Sequence, residues 1–349
     1  MGNYSGAPTG KILSFATQRD SSLAAVPGLG NQIRLFSLND NQGFSLDLGY
    51  TPQDSLTGWQ SNLKGVIWAM REAGYEIKPF DGVLESTLPF HEKLGTGIAL
   101  QALLALMIRD QNDSSITDEK LARICAHSHE RFGSDTQGLA AYYTVFSSEK
   151  GRATQVTLEG GQLSHRKVPE EWALVYAHLP SVRESLSLAR ARVETLSRRA
   201  LDRLQLESLA DLTPDRFARG RDALTAESSQ VCQEVLAESD RVDALGKALV
   251  EEDRVACQSL LEDSMQGQMK AFGAESPRME ALCQAMRAAP GHIGVRPCQD
   301  PYAGCVIALL EKAQLKPFCE WVEKSYQSAI GERVTLTSLG VGGGARRLH

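Results

Sequence analysis

Residues 181–271 read as almost continuous helix, and this stretch limits the possible folds more than any other feature. It is rich in Glu, Arg, Ala and Leu, and charged runs such as SRRALDRLQLESLAD are typical of solvated helix faces. After residue 277 the pattern alternates helix, strand, helix and strand, in PRMEALCQAMRAA, AGCVIALL, LKPFCEWVEKSYQSAIG and RVTLTSLG. That order predicts an α+β fold whose last part is a split-βαβ unit of the ferredoxin-like type.

The first part of the chain mixes strands with helices. KILSFATQ, NQIRLFSL, GFSLDLGY and DGVLESTLPF predict strands, and GRATQVTLEGGQLSHRKVP predicts a hairpin that turns at Gly160 and Gly161. SNLKGVIWAMREAGY has helical spacing that ends at Gly74, and TDEKLARICAHSHERF predicts another helix. LGTGIALQALLALMIRD is apolar on nearly all sides, so it predicts a buried helix. GVRPCQDP, with two prolines, predicts a turn that leads into AGCVIALL.

Charge and composition exclude several classes of protein. A net charge of -6 gives no basic excess, so neither nucleic acid nor an anionic membrane is an expected partner. No apolar run reaches the roughly 20 residues that span a bilayer, and the N-terminus lacks the features of a signal peptide. None of the seven cysteines forms a C-x-x-C pair, so no metal site is predicted. We expect a cytoplasmic protein with reduced thiols.

A set of motifs occurs in a fixed order along the whole chain. They are WQSNLKGVI from Trp59, FDGV from Phe80, RGR from Arg219, LLEDSM from Leu260 with the following Phe272 and Pro277, and GVRP from Gly294 with AGCVIAL from Ala303. In this order they resemble the galactokinases of the GHMP small-molecule kinase superfamily. The resemblance implies a two-domain GHMP-kinase-like fold, which we divide into residues 1–175 and 176–349, with a cleft between the domains.

The family's phosphate loop aligns with residues 89–100. Such a loop uses glycines so that backbone N–H groups can close on phosphate oxygens at a helix N-terminus. His91 and Lys93 stand at the two loop-glycine positions, and Glu92 adds a negative charge. Thr96 stands where the resemblance implies a magnesium ligand, and Lys93 could contact phosphate as a point charge. We therefore expect that MgATP does not bind measurably.

The family's general base also aligns with altered residues. Its Asp-Gln pair corresponds to Ala140 and Ala141, and an alanine cannot accept a hydroxyl proton. Asp135 and Gln137 lie a few residues upstream and are the replacements that a shift in register would offer. The family's sugar-binding motif would fall before residue 1.

A third family motif, rich in glycine, aligns with the loop after Pro297. Here Cys298, Gln299, Asp300 and Tyr302 replace most of its glycines, and Asp300 adds another negative charge. With His91, Glu92 and Lys93, this loop would present acid–base groups or a thiol to the cleft.

Three hypotheses follow. The first is a pseudokinase that has lost ATP-dependent sugar phosphorylation and serves small-molecule sensing or partner binding. The second is an enzyme repurposed for non-kinase chemistry on a small metabolite, and the third is a divergent kinase that uses Asp135 as base and Thr96 for magnesium.

No cofactor is expected except ATP and magnesium under the third hypothesis. The expected partners are a small molecule in the cleft and either another protein or a second copy of the chain. The candidate catalytic residues are His91, Glu92, Lys93, Asp300, Asp135 and Cys298, and the candidate ligand-binding residues are Thr96, Gln137, Tyr142, Gln299 and Tyr302.

Overall fold

The computed structural model describes residues 1–2, 7–49, 59–88, 94–112, 115–132, 138–298 and 301–348. Its strands are β1 (Lys11–Ser14), β2 (Ser21–Pro27), β3 (Gln32–Ser37), β4 (Gln42–Asp47), β5 (Phe80–Ser86), β6 (Arg152–Thr157), β7 (Gln162–Lys167), β8 (Trp172–His178), β9 (His292–Pro297), β10 (Cys305–Glu311) and β11 (Leu336–Leu339). Its α-helices are α1 (Trp59–Glu72), α2 (Thr96–Gln111), α3 (Asp118–Phe132), α4 (Leu139–Ser147), α5 (Val182–Ser185), α6 (Ser187–Leu204), α7 (Pro214–Gly220), α8 (Ala226–Glu251), α9 (Arg254–Phe272), α10 (Pro277–Arg287) and α11 (Leu315–Ile330). The α+β class predicted from the sequence is confirmed.

Internal contacts group the chain into two units, each built from two segments. The first unit comprises Met1–Phe15 and Gly151–Val341, and the second comprises Ala16–Lys150 and Gly342–His349. The domain division predicted from the sequence is a single cut after residue 175, whereas these units are discontinuous. That division stays a prediction.

The second unit contains a four-stranded sheet in the order β2-β5-β3-β4. Only β3 and β5 pair in parallel, and the other neighbours are antiparallel. The strands alternate in burial because successive side chains point to opposite faces of a sheet. The inward row includes Ile33, Leu35, Phe44, Leu46 and Phe80, all of which are buried. The outward row remains exposed.

Helix α2 is the buried helix that the sequence predicts. Its apolar residues surround the axis, and those buried include Ile98, Leu100, Leu104 and Ile108. Burying one such side chain stabilises the fold by about 1.5–3 kcal/mol. The helix therefore lies at the centre of the second unit, and its packing fixes the position of its N-terminus.

The first unit contains two sheets, in the orders β1-β6-β7 and β11-β8-β10-β9. The predicted hairpin is confirmed: β6 and β7 pair in register, and both Gly160 and Gly161 have positive φ angles. The predicted turn at GVRP is wrong, because His292–Pro297 form β9. This strand lies at the edge of its sheet and pairs only with β10. An edge strand tolerates Pro297, because a proline there removes no ladder hydrogen bond on the open side.

Within the described ranges, no helix has both the length and the hydropathy needed to cross a membrane.

Candidate phosphate-binding end of helix α2

The N-terminus of α2 is preceded by a glycine rather than by a capping side chain. Gly95 occupies the left-handed region, with φ 87 and ψ 22, and as a glycine at the cap position it offers no side chain to accept a hydrogen bond from the first turn. Two other helices are capped by threonine: Thr213 accepts from the amide of Arg216 before α7, and Thr225 accepts from the amide of Ser228 before α8. Helices α4, α6, α10 and α11 resemble α2 in having no side-chain cap. The first N–H groups of a helix have no partner within the helix. In α2 they are left without a side-chain cap.

Thr96 is the first residue of this helix. Its hydroxyl oxygen is buried and has no hydrogen-bond partner among the residues that the structure describes. A buried hydroxyl without a partner is unfavourable, by roughly 1–3 kcal/mol. Together with the uncapped amides, it forms a set of donors at the positive end of the helix dipole, which suits an anion.

A chain of polar side chains holds the first turns of α2 against α1 and α4. The Tyr142 hydroxyl donates to Oε1 of Gln101, and Nε2 of Gln101 donates to Oδ1 of Asn62 over 3.3 Å. A Cβ on Gly97 would lie only 3.1 Å from Nδ2 of Asn62, so the glycine lets α1 approach closely. Sequence reasoning missed Asn62 and Gln101. The signal was Gln101 itself, a polar residue in a helix that is otherwise apolar and therefore in need of a partner.

The two positions that align with the Asp-Gln pair of the family, Ala140 and Ala141, lie in α4. Ala140 is buried and Ala141 is partly buried, two and three residues into the helix after Gly138. Neither methyl group can accept a proton. Tyr142, a predicted ligand-binding residue, is fully buried with its hydroxyl bonded to Gln101.

Several predicted site residues cannot be placed. His91, Glu92, Lys93, Asp135, Gln137, Gln299 and Asp300 all lie outside the described residues. Their roles stay predictions.

Cys298 and Tyr302 lie in the first unit. The Tyr302 hydroxyl donates to the carbonyl of Phe272 over 2.9 Å, so it already serves the core. The amide of Cys298 donates to the carbonyl of Cys305 over 2.9 Å. A hydrogen bond to the Cys305 thiol, with burial, raises the pKa of the Cys298 thiol well above its ordinary value. The Cys298 thiol is therefore protonated at neutral pH and is a poor nucleophile.

Within the part of the chain that can be described, no three His, Cys, Asp or Glu side chains cluster as metal ligands would.

No protein-family model matches the chain. Curated relatives do match it from end to end. A galactokinase of Streptomyces coelicolor is 24% identical over 359 aligned residues, covering 100% of this chain and 91% of the relative. A galactokinase of Enterococcus faecalis is 25% identical over 332 residues, covering 91% of this chain and 84% of the relative.

Solved structures share the fold. The galactokinase of Lactococcus lactis, determined with galactose, has a TM-score of 0.88 at 18% identity and covers 100% of this chain and 92% of its own. The mevalonate kinase of Methanococcus jannaschii has a TM-score of 0.61 at 13% identity, covering 95% of this chain and 91% of its own. The two-domain GHMP kinase fold is thereby confirmed.

These comparisons correct the predicted function. The hypothesis of a pseudokinase that has lost sugar phosphorylation is wrong, since the relatives that match the chain from end to end are galactokinases. The hypothesis of non-kinase chemistry falls with it. Both treated altered motifs as lost activity, yet a general base contributes only about 10²–10⁴-fold to a rate, so its replacement slows a reaction without abolishing it.

Fold and relatives agree over the whole chain, and both support the resemblance of this chain to the galactokinases of the GHMP kinase superfamily.

Proposed function

We propose that this chain is an ATP-dependent kinase that phosphorylates a hydroxyl group of a sugar. The observation that carries the proposal is its similarity to galactokinases over 90–100% of its length. In the reaction, the bond between the γ-phosphorus and the bridging oxygen of ATP breaks, and a bond from the sugar oxygen to that phosphorus forms. The hydroxyl proton leaves to a base, and ADP is released.

The N-terminus of α2 is the part that we assign to the phosphates of ATP. Its uncapped amides and the Thr96 hydroxyl are donors, and phosphate oxygens are acceptors. Phosphoryl transfer depends mainly on positioning and on stabilising the charge of the transferred group. A fixed helix end with unused donors meets that need, because α2 is buried and held by Gln101 and Asn62.

Magnesium fits this end of α2 through one protein group. Thr96 carries a buried oxygen without a partner among the described residues, and it would hold the ion together with phosphate oxygens. The ion would neutralise charge on the transferred phosphoryl group. Lys93, predicted from the sequence as a point charge for phosphate, would add to this.

The base that we propose is Asp135. Ala140 and Ala141 cannot serve, and Asp135 is the carboxylate that the sequence offers a few residues upstream of α4. It would accept the proton of the sugar hydroxyl. The acceptor sugar to test first is galactose, because the relatives are named galactokinases.

The decisive measurement is sugar-dependent release of ADP from MgATP, with galactose first and a panel of other monosaccharides after it. We expect turnover, and we expect Asp135→Asn to lower kcat by about 10²–10⁴-fold while MgATP still binds. The matched control is Asp202→Asn, at an exposed position of α6, which should keep full activity.

Two results would contradict the proposal. Absence of ADP release with every sugar, together with no MgATP binding by calorimetry, would show that the chain is not a kinase. Full activity of Asp135→Asn would leave the kinase function standing and remove Asp135 as its base.

A further inference from the structure

The side-chain carboxamide of Asn62, in α1, lies against the first turn of α2. A Cβ placed on Gly97 would be 3.1 Å from Nδ2 of Asn62 and 3.8 Å from its Cγ, so the nitrogen is the nearer of the two atoms. The Cα–Cβ bonds of a helix tilt toward its N-terminus. Nδ2 of Asn62 therefore lies on the N-terminal side of Gly97, beside the helix end that we assign to phosphate.

Gln101 sets the orientation of this carboxamide. It lies one helical turn after Gly97, and its Nε2 donates to Oδ1 of Asn62 over 3.3 Å. The oxygen of Asn62 therefore faces Gln101, and the nitrogen faces Gly97. If the carboxamide were reversed, two N–H donors would face each other at Gln101.

Gln101 is itself held in place. Its side chain is fully buried, and its Oε1 accepts from the Tyr142 hydroxyl of α4. A buried polar side chain is stable only when its donors and acceptors have partners, so Gln101 needs both neighbours. The three side chains form a relay that begins in α4, crosses α2 and ends at Asn62 in α1.

The relay turns a donor toward a helix end that already carries donors. The first N–H groups of α2 and the positive end of its dipole attract acceptors and anions. An asparagine oxygen in this place would accept from those N–H groups, as it does at many helix starts. Here the nitrogen of Asn62 faces the first turn instead. With the buried hydroxyl of Thr96, this nitrogen adds to a group of donors that suits an incoming anion.

Gly97 makes room for this arrangement. Alanine is the better helix former, so a glycine within the first turn is unfavourable for the helix alone. A methyl group at this position would lie 3.1 Å from Nδ2 of Asn62, which is tighter than nine in ten real contacts of a Cβ. The glycine therefore permits the carboxamide to remain beside the helix end.

We propose that Asn62 is a further ligand-binding residue of this site, whose Nδ2 donates to a phosphate oxygen of the nucleotide. Gln101 is the positioning residue that keeps Nδ2 turned toward that oxygen. Asn62 is partly exposed, so a ligand reaches it, whereas Gln101 is buried and acts through Asn62. The inference rests on the proposed function, because it takes the anion at α2 to be a polyphosphate.

The test is calorimetric titration of the full chain with ATP and with inorganic tripolyphosphate, both in EDTA so that magnesium bridges no new contact. In Asn62→Asp one oxygen still accepts from Gln101, while an anionic oxygen replaces the donor nitrogen. We expect the affinity for both probes to fall by about 10–100-fold, the order of one hydrogen bond to a charged group. The stability of this variant in urea should not fall, because the relay is kept.

Gln101→Glu tests the positioning role. The new carboxylate still accepts from Tyr142 but does not donate to Oδ1 of Asn62, so Asn62 should turn its nitrogen toward it and away from Gly97. We expect a loss of affinity of the same order as in Asn62→Asp. In an Asn62→Ala background, Gln101→Glu should change the affinity by less than about twofold, because no carboxamide remains to be turned. A further large loss in that background would show that Gln101 acts on the fold and not through Asn62.

Ser115→Asp is the matched control. It adds the same charge at an exposed position beyond the opposite end of α2, whose 16 residues span about 24 Å, and it should bind both probes like the wild type. Sugar-dependent ADP release with unchanged affinity in Asn62→Asp would overturn the inference and leave the kinase function standing. Tripolyphosphate binding that depends on Asn62, without ADP release from any sugar, would keep the inference and remove the kinase function. A wild-type chain that binds neither probe would overturn the inference.

Discussion

Two buried polar regions of the molecule differ in how their groups are partnered. In the first unit, helices α8 and α9 and strand β9 share a cluster of buried charges. In the second unit, the N-terminus of α2 buries a hydroxyl and an uncapped helix end. The first region pairs its charged groups with one another, whereas the second buries a hydroxyl that has no partner among the described residues.

The charge cluster is a network of ion pairs centred on Glu238. Glu238 has no exposed side-chain surface; its Oε1 accepts from the Ser264 hydroxyl at 2.9 Å and lies 3.4 Å from Nη2 of Arg296. Its Oε2 accepts from Nε of Arg241 at 2.8 Å, and Arg241 also pairs with Glu234. Each of these charges has an opposite partner within the cluster. Removing one member of such a buried pair is strongly destabilising, because it leaves an uncompensated charge.

The start of α2 has the opposite character. Thr96 is buried like Glu238, yet no described residue accepts from or donates to its hydroxyl. Such a group calls for an explanation, and at a helix N-terminus a bound anion would supply one. The comparison teaches that burial alone does not mark a site. What sets α2 apart from the charge cluster is that its buried hydroxyl lies at a helix N-terminus, where an anion is favoured.

The largest effect on stability should come from breaking the ion-pair network around Glu238. Glu238→Ala leaves Arg296 and Arg241 buried without their shared carboxylate, and we expect a loss of about 3–5 kcal/mol in the free energy of unfolding. Urea denaturation measures it. The matched control is Glu251→Ala, which breaks the exposed pair of Lys247 and Glu251 at 3.7 Å and should not measurably change stability. Equal losses in the two variants would show that the network does not stabilise the fold.

A smaller effect should come from titrating the same network. The pKa of Glu234 is raised to about 7, mainly by burial. The Glu238 carboxylate also raises this pKa, and the Arg241 guanidinium lowers it. Its folded-state pKa is above its unfolded value, so its contribution to stability is full below about pH 4.5 and is lost as pH rises to about 7. Glu234→Gln should remove this dependence, which we expect to be on the order of 1–3 kcal/mol. Urea denaturation at several pH values measures it, and parallel curves for both proteins would contradict it.

The smallest effect on stability should come from the unused hydroxyl. Thr96→Val removes a buried oxygen that has no partner, so the free energy of unfolding should be unchanged or higher by up to about 1 kcal/mol. MgATP affinity, measured by calorimetry, should fall about tenfold, the order of one lost hydrogen bond to a charged group. Thr96→Ser is the control and should bind like the wild type. A clear loss of stability in Thr96→Val would show that the hydroxyl is satisfied within the fold.

The sequence predicts much of the fold because most elements have strong periodic patterns. Helix α2 and the β6–β7 hairpin are confirmed, since an apolar run and a Gly-Gly turn are local signals. Strands β2, β8 and β9 were missed, and of these β2 and β9 each end in a proline at the edge of a sheet, at Pro27 and Pro297. Edge position depends on the topology of the sheet, which a local pattern does not contain.

The candidate site is less predictable. Thr96 was identified from the phosphate-loop resemblance, but the support from Asn62 and Gln101 depends on helices that meet only in the fold. The function was predicted wrongly because residue changes in the motifs were interpreted as loss of activity, without knowledge of the fold that holds those motifs. The fixed N-terminus of α2 persists although the residues at the loop-glycine positions have changed.

The discontinuous first unit has a consequence for the synthesis of the chain. Strand β1 pairs with β6, and the Ser14 hydroxyl bonds the carbonyl of a residue 140 positions later. At about 5–20 residues per second, β6 leaves the ribosome roughly 7–28 seconds after β1. During that interval β1, with Ile12 and Leu13, lacks its partner strand β6, and the segment from Ala16 to Lys150 is synthesised before β6 appears. The first unit can therefore close only after most of the second has been made, so the order of translation imposes an order on folding.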